Sequence, residues 1–515
     1  MWKDKHYQFT CLPQGLTSAP RIFTKLLKPV LAHLRKMGMI VSCYIDDCIF
    51  IAPSFDELKS NIHYAVSFFD KLGLTVHVSK SSLVPSKEVE YLGCILNSEN
   101  MTVRLADRKK DKIKNIGLSL LARDEVSIRD LASFIGNVVA ADSGVPLAPL
   151  RYKQLEIVRN RALLTHKGNY DSMITLPVRA RKIISWWINN IHNQSKSISF
   201  PPPLMEMFTD ASLLGWGAKL GSITTGGQWA FSEIEHINVL ELKAVLFALK
   251  ALCSEHRSIH IRLRIDNTTA VACIERCSST KEALLAITED IFTWAYDRDI
   301  TLSAIHIPGI DNVDADGASR NFNIDTEWMI KPHVFAMLCK VYPKPAMDLF
   351  ACRLNAQLPK YISWRPDPNA CDTDAFTVSW TNGYLYAFPP FSVIGRTLQK
   401  IQQDRASVLL VLPLWPTRAW FPRALQMLMD TPRLLPRHSL TLPQDPHRRH
   451  SLANKLILVA MPLSGDPSKT RPYHHKLPTS SCPPGDMEHN YNMGAISPSG
   501  SLFVASGKLI HFPHL

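Results

Sequence analysis

Long apolar runs, ordered cysteine pairs and acidic residues are all in short supply in this 515-residue sequence. A helix that crosses a bilayer needs about 18 or more apolar residues in a row. The longest candidates here, Val245–Leu252 and Val408–Leu412, fall well short. The opening Met1-Trp2-Lys3-Asp4-Lys5-His6 lacks the apolar core of a secretion signal. The 11 cysteines are scattered without a CxxC pair, and Cys273 and Cys277 lie one helical turn apart. That pattern argues against a zinc site and against a disulfide framework, and it predicts reduced, buried thiols. These absences predict a soluble intracellular protein, in the cytoplasm or the nucleus, with no membrane partner.

The acids number 45 against 58 Lys+Arg, a net charge of +13. Such a surplus favours polyanions through counterion release, and on charge alone a merely basic solvated surface fits equally well. At 46% hydrophobic and 20% charged, the composition is globular and excludes a mostly disordered or collagen-like chain. The length corresponds to about three domains.

Residues 1–98 read as mixed α/β. Ile22, Leu26, Leu27, Val30, Leu31 and Leu34 share one side of a helix from Ser18 to Lys36. Met39–Ile45 and Cys48–Ile51 read as two buried strands around a tight turn. Residues 99–203 are mostly helical and basic, and Ser199-Phe200-Pro201-Pro202-Pro203 forms a stiff linker at a domain boundary. From 204 to 325 the pattern is three strands, a helix, a strand, two helices, a strand and a helix, with Asn238 as the expected cap of the first helix. Residues 326–465 form a Trp- and Pro-rich α/β stretch, and 466–515 read as a disordered tail.

The first chemical signal is Asp46-Asp47, two adjacent acids in a turn between apolar strands, where Asn-Gly is the ordinary choice. Two like charges at ~4 Å and an effective dielectric near 20 repel by about 4 kcal/mol. A divalent cation with oxygen ligands, Mg²⁺ above all, relieves that repulsion; so does simple solvation of an acidic turn. Around the hairpin stand Leu12-Pro13-Gln14-Gly15, Ala19-Pro20-Arg21-Ile22-Phe23, Tyr44-Ile45-Asp46-Asp47, Gly73-Leu74, Lys80-Ser81 and Tyr91-Leu92-Gly93. In this order and spacing the set resembles the palm of a reverse transcriptase. The phrasing from Ala19 to Lys25 is most similar to retrotransposons of the DIRS type. The resemblance implies that Asp46 and Asp47 bind metal, that Gln14 and Gly15 line the nucleotide and template pocket, and that Lys80 lies near the incoming phosphates. Two-metal nucleotidyl transfer also needs a carboxylate from an earlier strand. Asp4, in a polar Lys-Asp-Lys turn, is a poor substitute, so the stretch is read as a partial palm without fingers or first metal-binding strand.

Four further acids lie within a stretch of about 115 residues: Asp210 at the end of a strand, Glu241 on a helix, Asp266 after the alternating strand Ile259–Ile265, and Asp316 in Asn312-Val313-Asp314-Ala315-Asp316. Singly, each has an ordinary structural explanation. Together, in this order, and with His306 ten positions before Asp316, they resemble the RNase H family. The Asn-x-x-Ala-Asp phrasing selects Asp316 over Asp314. The resemblance implies a mixed five-stranded sheet with helices and two Mg²⁺ held by Asp210, Glu241, Asp266 and Asp316. It also implies His306 in proton traffic or product release, and an RNA–DNA hybrid as substrate. Thr224-Thr225-Gly226-Gly227 is read as a weak point, because glycine-rich strands specify register poorly.

Asp348-Leu349-Phe350-Ala351 and Phe388-Pro389-Pro390-Phe391 resemble the cofactor loop and catalytic tetrapeptide of amino-methyltransferases. The tetrapeptide of that family begins with Asp or Asn, and Phe388 cannot accept a hydrogen bond from an amine. The region therefore reads as a degraded methyltransferase-like remnant. The fold class expected is multidomain α/β (α+β): partial palm, helical connection, RNase H-like sheet and remnant. The expected function is that of a retroelement reverse transcriptase/RNase H protein whose nuclease part is active. The rival readings are a non-catalytic nucleic-acid scaffold and a non-functional pseudogene product. For the partial palm, primer extension on an RNA template is expected to yield no product; template- and Mg²⁺-dependent synthesis would refute that expectation.

Overall fold

The computed structural model describes residues 13, 15–322, 327–479 and 500–515. The chain divides into two compact units between Phe200 and Pro201, inside the expected linker. Among the described residues no helix is long and apolar enough to cross a membrane.

In the first unit α1 (Ala19–Lys36) buries Leu27, Val30, Leu31 and Leu34. It packs with β1 (Ile40–Tyr44), β2 (Asp47–Ile51) and α2 (Phe55–Lys71) around Met39, Val41 and Ala65. Ser54 caps α2 by accepting the Glu57 N–H at 3.3 Å. The β1–β2 hairpin is less buried than its apolar sequence predicts. Ile40, Tyr44 and Ile51 are exposed and only Val41 is fully buried, because among the described residues β1 and β2 form a two-stranded sheet with no third strand beside it.

Strands β3 (Glu88–Tyr91), β4 (Cys94–Asn97) and β5 (Thr102–Leu105) form an antiparallel sheet completed by the two-residue β8 (Lys196–Ser197). Between β5 and β8 run the helices α3 (Asp107–Leu121), α4 (Ile128–Val139), α5 (Ala148–Thr165) and α6 (Val178–Asn190), with a small β6–β7 pair (Glu125–Ser127, Met173–Thr175). Leu120, Phe134, Leu155 and Trp187 are wholly buried among them.

The second unit opens with a mixed five-stranded sheet. In chain order its elements are β9 (Met205–Ala211), β10 (Gly215–Leu220), β11 (Ile223–Gln228), α7 (Ile237–Leu252), β12 (His260–Ile265), α8 (Thr268–Glu275), α9 (Glu282–Tyr296), β13 (Thr301–His306) and α10 (Val313–Arg320). The spatial order is β11-β10-β9-β12-β13; β9, β12 and β13 run parallel, and β10 and β11 are antiparallel additions. The N-cap of α7 lies two residues before the expected one: it is His236, its Nδ1 accepting the Asn238 N–H at 3.2 Å.

Gly226, read from the sequence as a weak point of register, and Gly217 opposite it have a packing role. Gly217 and Gly226 face each other across the ladder, and α10 lies directly on them. A Cβ on Gly217 would stand 2.1 Å from the Ala315 carbonyl oxygen, and one on Gly226 would stand 2.7 Å from that of Ala318. Their absent side chains allow the helix to approach; Trp216 beside them, 1% exposed, holds the register through packing.

The remainder of this unit is a second α/β body. Its sheet takes Tyr384–Ala387, Ser407–Pro413, Leu458–Ser464 and Arg433–Leu434 in that spatial order, and the two seven-residue strands are buried along their whole length. The expectation of a disordered tail is corrected for 466–479 and 500–515. Pro467–Lys476 is a helix capped by Asp466, and Gly500–Ala505 pairs with Lys508–Pro513. That hairpin buries Ile510 and Phe512 in the core, apolar gains that outweigh the Pro, Ser and His content nearby. Residues 480–499 lie outside those described.

The expectation of reduced thiols is also corrected at one place. Cys43 and Cys48 are directly opposed in the β1–β2 register and form a disulfide, whereas Cys94, Cys253, Cys273, Cys277, Cys339, Cys352 and Cys371 are free. Cys277 sits beyond the end of α8 rather than one turn along it. Because backbone atoms of Ala315 and Ser319, not movable side-chain ends, oppose a Cβ at Gly217, Gly217→Ala is expected to lose about 1–3 kcal/mol of stability in urea unfolding.

Candidate active site

Asp210 and Asp266 are brought together by parallel pairing. Thr209 of β9 is the partner of Ile265 of β12, so the next residue on each strand projects from the same carboxyl end of the sheet, the end at which open α/β sheets place their ligands. Helix α7 packs across β9 and β10 and presents Glu241 to the same point. One oxygen from each of Asp210, Glu241 and Asp266 lies within 4.8 Å of the other two.

Asp210 and Glu241 are buried, 3% and 4% exposed, and Asp266 is half-buried. Burial pushes the Glu241 carboxyl up to about 9, and the charges of Asp210 and Asp266 add to the rise. Asp210 is raised by burial, with Asp266 and Asp316 contributing, against a hydrogen bond from Ser319 that lowers it. Burial also raises Asp266, while the His306 ring and Arg320 pull the other way. Oε2 of Glu241 has no hydrogen-bond partner among the described residues. A buried acid lone pair beside two more carboxylates fits an oxygen-ligated divalent cation, since such a cation would relieve both the desolvation and the repulsion.

Helix α10 supplies the surroundings. Ser319 donates to Asp210 Oδ2, Ser212 Oγ donates to the Ser319 carbonyl at 2.7 Å, and Asn312 Nδ2 donates to the Thr209 carbonyl at 2.9 Å. Ser212 and Ser319 escaped the sequence reading; the available signal was a serine three residues after Asp316. Asp316 itself is not part of the three-oxygen group. Its Oδ1 accepts from Arg320 Nε at 2.6 Å, one turn along the helix, although its charge still reaches Asp210 and Asp266. Asp314 is tied to Lys219. His306 ends β13 on the exposed rim, with Nε2 3.1 Å from the Asp266 carbonyl oxygen.

The polymerase-like residues belong to the first unit. Ile45 and Asp46 form the two-residue turn between β1 and β2, and Asp46 and Asp47 are both exposed. Ile45 adopts φ 54°, a left-handed conformation that costs a β-branched residue of order 1–3 kcal/mol. Tyr91 donates to the Asp47 carbonyl at 3.3 Å. Gly15 lies in the turn before α1 at φ 90°, and Lys80 ends an exposed single turn of helix. Gln14 lies outside the described residues. Among the described residues no third carboxylate joins Asp46 and Asp47 in a metal-sized group.

In the carboxy-terminal body Asp348 is fully enclosed, its carboxylate accepting the Phe350 and Gln357 N–H groups, and burial pushes it up to about 7. A cavity of about 630 Å³ opens between the loop after Asp348 and Phe388-Pro389-Pro390, lined by Phe350, Phe376, Phe388, Phe391 and Arg396 among others.

Residues 1–96 match the family model described as reverse transcriptase (RNA-dependent DNA polymerase). The chain is 29% identical over 130 residues to the retrovirus-related Pol polyprotein from transposon opus of Drosophila melanogaster, covering 25% of this chain and 12% of that protein. It is 24% identical over 344 residues to the enzymatic polyprotein of figwort mosaic virus (strain DxS), covering 62% of this chain and 46% of that one. The chain thus spans less than half the length of either relative. Among solved structures, LC11-RNase H1 in complex with an RNA/DNA hybrid aligns at 20% identity and a TM-score of 0.20, over 22% of this chain and 92% of that one.

The direction of the Glu241 shift sets a pH signature. A carboxyl whose folded value lies above its unfolded value of about 4.5 binds its proton more tightly when folded, so its ionisation destabilises the fold progressively between pH about 4.5 and about 9. In chelator, Glu241→Gln is therefore expected to melt higher than wild type at pH 8, by at least about 2 °C, with the gap closing toward pH 4.5. Thermal melts at the two pH values check this.

Proposed function

We propose that the sheet and helices of residues 204–322 form an RNase H-type nuclease that cuts the RNA strand of RNA–DNA hybrids in a retroelement-derived polyprotein. The observation that carries this reading is the convergence of Asp210, Glu241 and Asp266 from two parallel strands and a helix onto one point. Two Mg²⁺ ions held by these three, with Asp316 at the margin, would supply Lewis acidity toward the scissile phosphate and lower the pKa of the attacking water.

The protein's own residues do the rest. Ser319 fixes the Asp210 carboxylate through its hydrogen bond and Asn312 fixes the backbone beside it, so the ligand oxygens are oriented before substrate arrives. Glu241 enters in its protonated form at neutral pH and must give up that proton on metal binding, which makes metal affinity rise with pH. His306, exposed next to Asp266, is positioned to take or return a proton at the leaving group and to exchange it with solvent. The positive surplus of the chain favours the two phosphate backbones of a hybrid, and 2′-hydroxyl contacts distinguish the RNA strand.

On this reading the Asp46–Asp47 turn belongs to a DIRS-type polymerase palm, with Gln14, Gly15 and Lys80 toward its nucleotide. The body after residue 326 is a methyltransferase-like remnant whose cavity keeps its aromatic lining without an amine acceptor at Phe388. A second reading, a non-catalytic nucleic-acid scaffold, is favoured by the Arg320–Asp316 ion pair, a fixed cation at the edge of the acid group. Metal titration separates the two, because a scaffold has no use for a tight pair of divalent ions.

Asp210→Asn and Glu241→Gln are each expected to lower hybrid cleavage by at least about 100-fold with the far-UV circular dichroism spectrum unchanged. A fluorogenic hybrid assay in which the wild-type protein shows no Mg²⁺-dependent cutting would remove the nuclease reading.

A further inference from the structure

The two α/β bodies of the second unit are joined at one edge of the five-stranded sheet, and Arg353 is the centre of that junction. Its Nη1 donates to both carboxylate oxygens of Glu233, at 2.7 and 2.8 Å, and its Nη2 donates to the Gln228 carbonyl at 2.8 Å. The guanidinium also lies 4.7 Å from the ring centre of Phe247. The side chain is 11% exposed, and its own backbone N–H is held by Asp367 at 3.1 Å. Two more contacts from the same body reach this edge: Gln444 donates to the Trp229 carbonyl, and Thr225 donates to that of Pro366.

What Arg353 grips is the turn that leads from β11 into α7. Glu233 Oε2 also accepts the Ala230 N–H at 2.7 Å, so the carboxylate closes the turn from inside while Arg353 holds it from outside. Lys243 ties the turn to the helix through the Glu233 carbonyl at 3.0 Å and the Glu235 carboxylate at 2.6 Å. Glu241 stands on that helix two residues before Lys243, and Phe247 stands one turn further on. At the other end of the turn Trp229 Nε1 donates to the Ser212 carbonyl at 2.9 Å; Ser212 in turn bonds Ser319, which bonds Asp210.

We infer that Arg353 is a positioning residue for the nuclease site, setting the distance between Glu241 and Asp210 through the turn 228–236, so that the carboxy-terminal body is a working part of the nuclease. A guanidinium that meets both carboxylate oxygens through Nη1 and a carbonyl through Nη2 holds three acceptors from one rigid group, whereas lysine presents a single point donor. The inference rests on the nuclease reading for its kinetic consequence and on the acid group alone for its metal-binding consequence.

The test uses the full chain as wild type, Arg353→Ala, Arg353→Lys and Glu233→Gln. It measures hybrid cleavage against Mg²⁺ concentration, Mn²⁺ binding by calorimetry without substrate, and thermal melting. For Arg353→Ala the Mg²⁺ midpoint for cleavage and the Mn²⁺ dissociation constant are expected to rise about tenfold, the scale on which residues behind the ligands act. KM for the hybrid should stay within about twofold of wild type, and Arg353→Lys should recover only part of the loss. Should Arg353→Ala not fold, Arg353→Lys and Glu233→Gln carry the same comparison with the packing largely kept. A lowered melting temperature with unchanged midpoint and unchanged Mn²⁺ affinity would make Arg353 a structural rivet and overturn the inference. If the wild-type protein does not cut hybrids, the nuclease reading falls, and Mn²⁺ calorimetry still decides whether Arg353 positions the acids.

Discussion

The mutual repulsion of Asp210, Glu241 and Asp266 is the constraint around which the second unit is built. Three carboxylates whose oxygens meet within 4.8 Å, two of them buried, are an arrangement no chain reaches by default, because desolvation and like charge both oppose it. The surrounding structure has to over-determine it. Parallel pairing of β9 with β12 places two of the acids, and α7, whose face toward the sheet is almost wholly apolar, holds the third. The hydrophobic contacts of Leu240, Leu242, Val245 and Leu249 are what keep Glu241 from turning away to solvent. Stability and chemistry oppose each other at this point, as they do wherever a buried charge awaits a counter-charge.

The same compromise recurs on a smaller scale in α10. A short helix can lie on a sheet closely enough to bond its strand ends only if the strands present no side chains there, and Gly217 with Gly226 meets that condition. In exchange for two weak strand formers, Ser319 reaches Asp210 and Asn312 reaches the Thr209 carbonyl. Arg320 then draws Asp316 toward the solvent side of the helix, which leaves a three-acid group with a fourth acid coupled to it through space. The β1–β2 hairpin of the first unit also carries local cost, in Ile45 at positive φ, but its acids remain solvated and exposed.

Much of this was legible in one dimension. Alternation along Ile259–Ile265, the helical spacing of Leu242 to Leu252 and the punctuation at Pro201–Pro203 are local patterns, and they mark elements that the structure contains. The candidate acids were likewise visible by type and neighbourhood. Errors collected where the deciding partner was remote. The order of the tail is invisible locally because Ile510 and Phe512 find their core more than eighty residues upstream, around Phe421. The Cys43–Cys48 disulfide is an exception, only five residues apart: the hairpin register makes the two direct neighbours, and sequence spacing alone does not show it. Gly226 and Gly227 of β11 read as loose register because the helix that lies on Gly226 comes some ninety residues further on.

Sequence by itself determined which residue types were available, in what order, and on which kind of element, since helical and strand periodicity depend on neighbours a few positions away. Only the tertiary structure decided that Asp210, Glu241 and Asp266 converge, that Asp314 turns to Lys219, and that Arg353 reaches across to Glu233. Those choices depend on distances between residues some twenty-five to more than a hundred positions apart, and such distances come into being only when sheets close and helices pack.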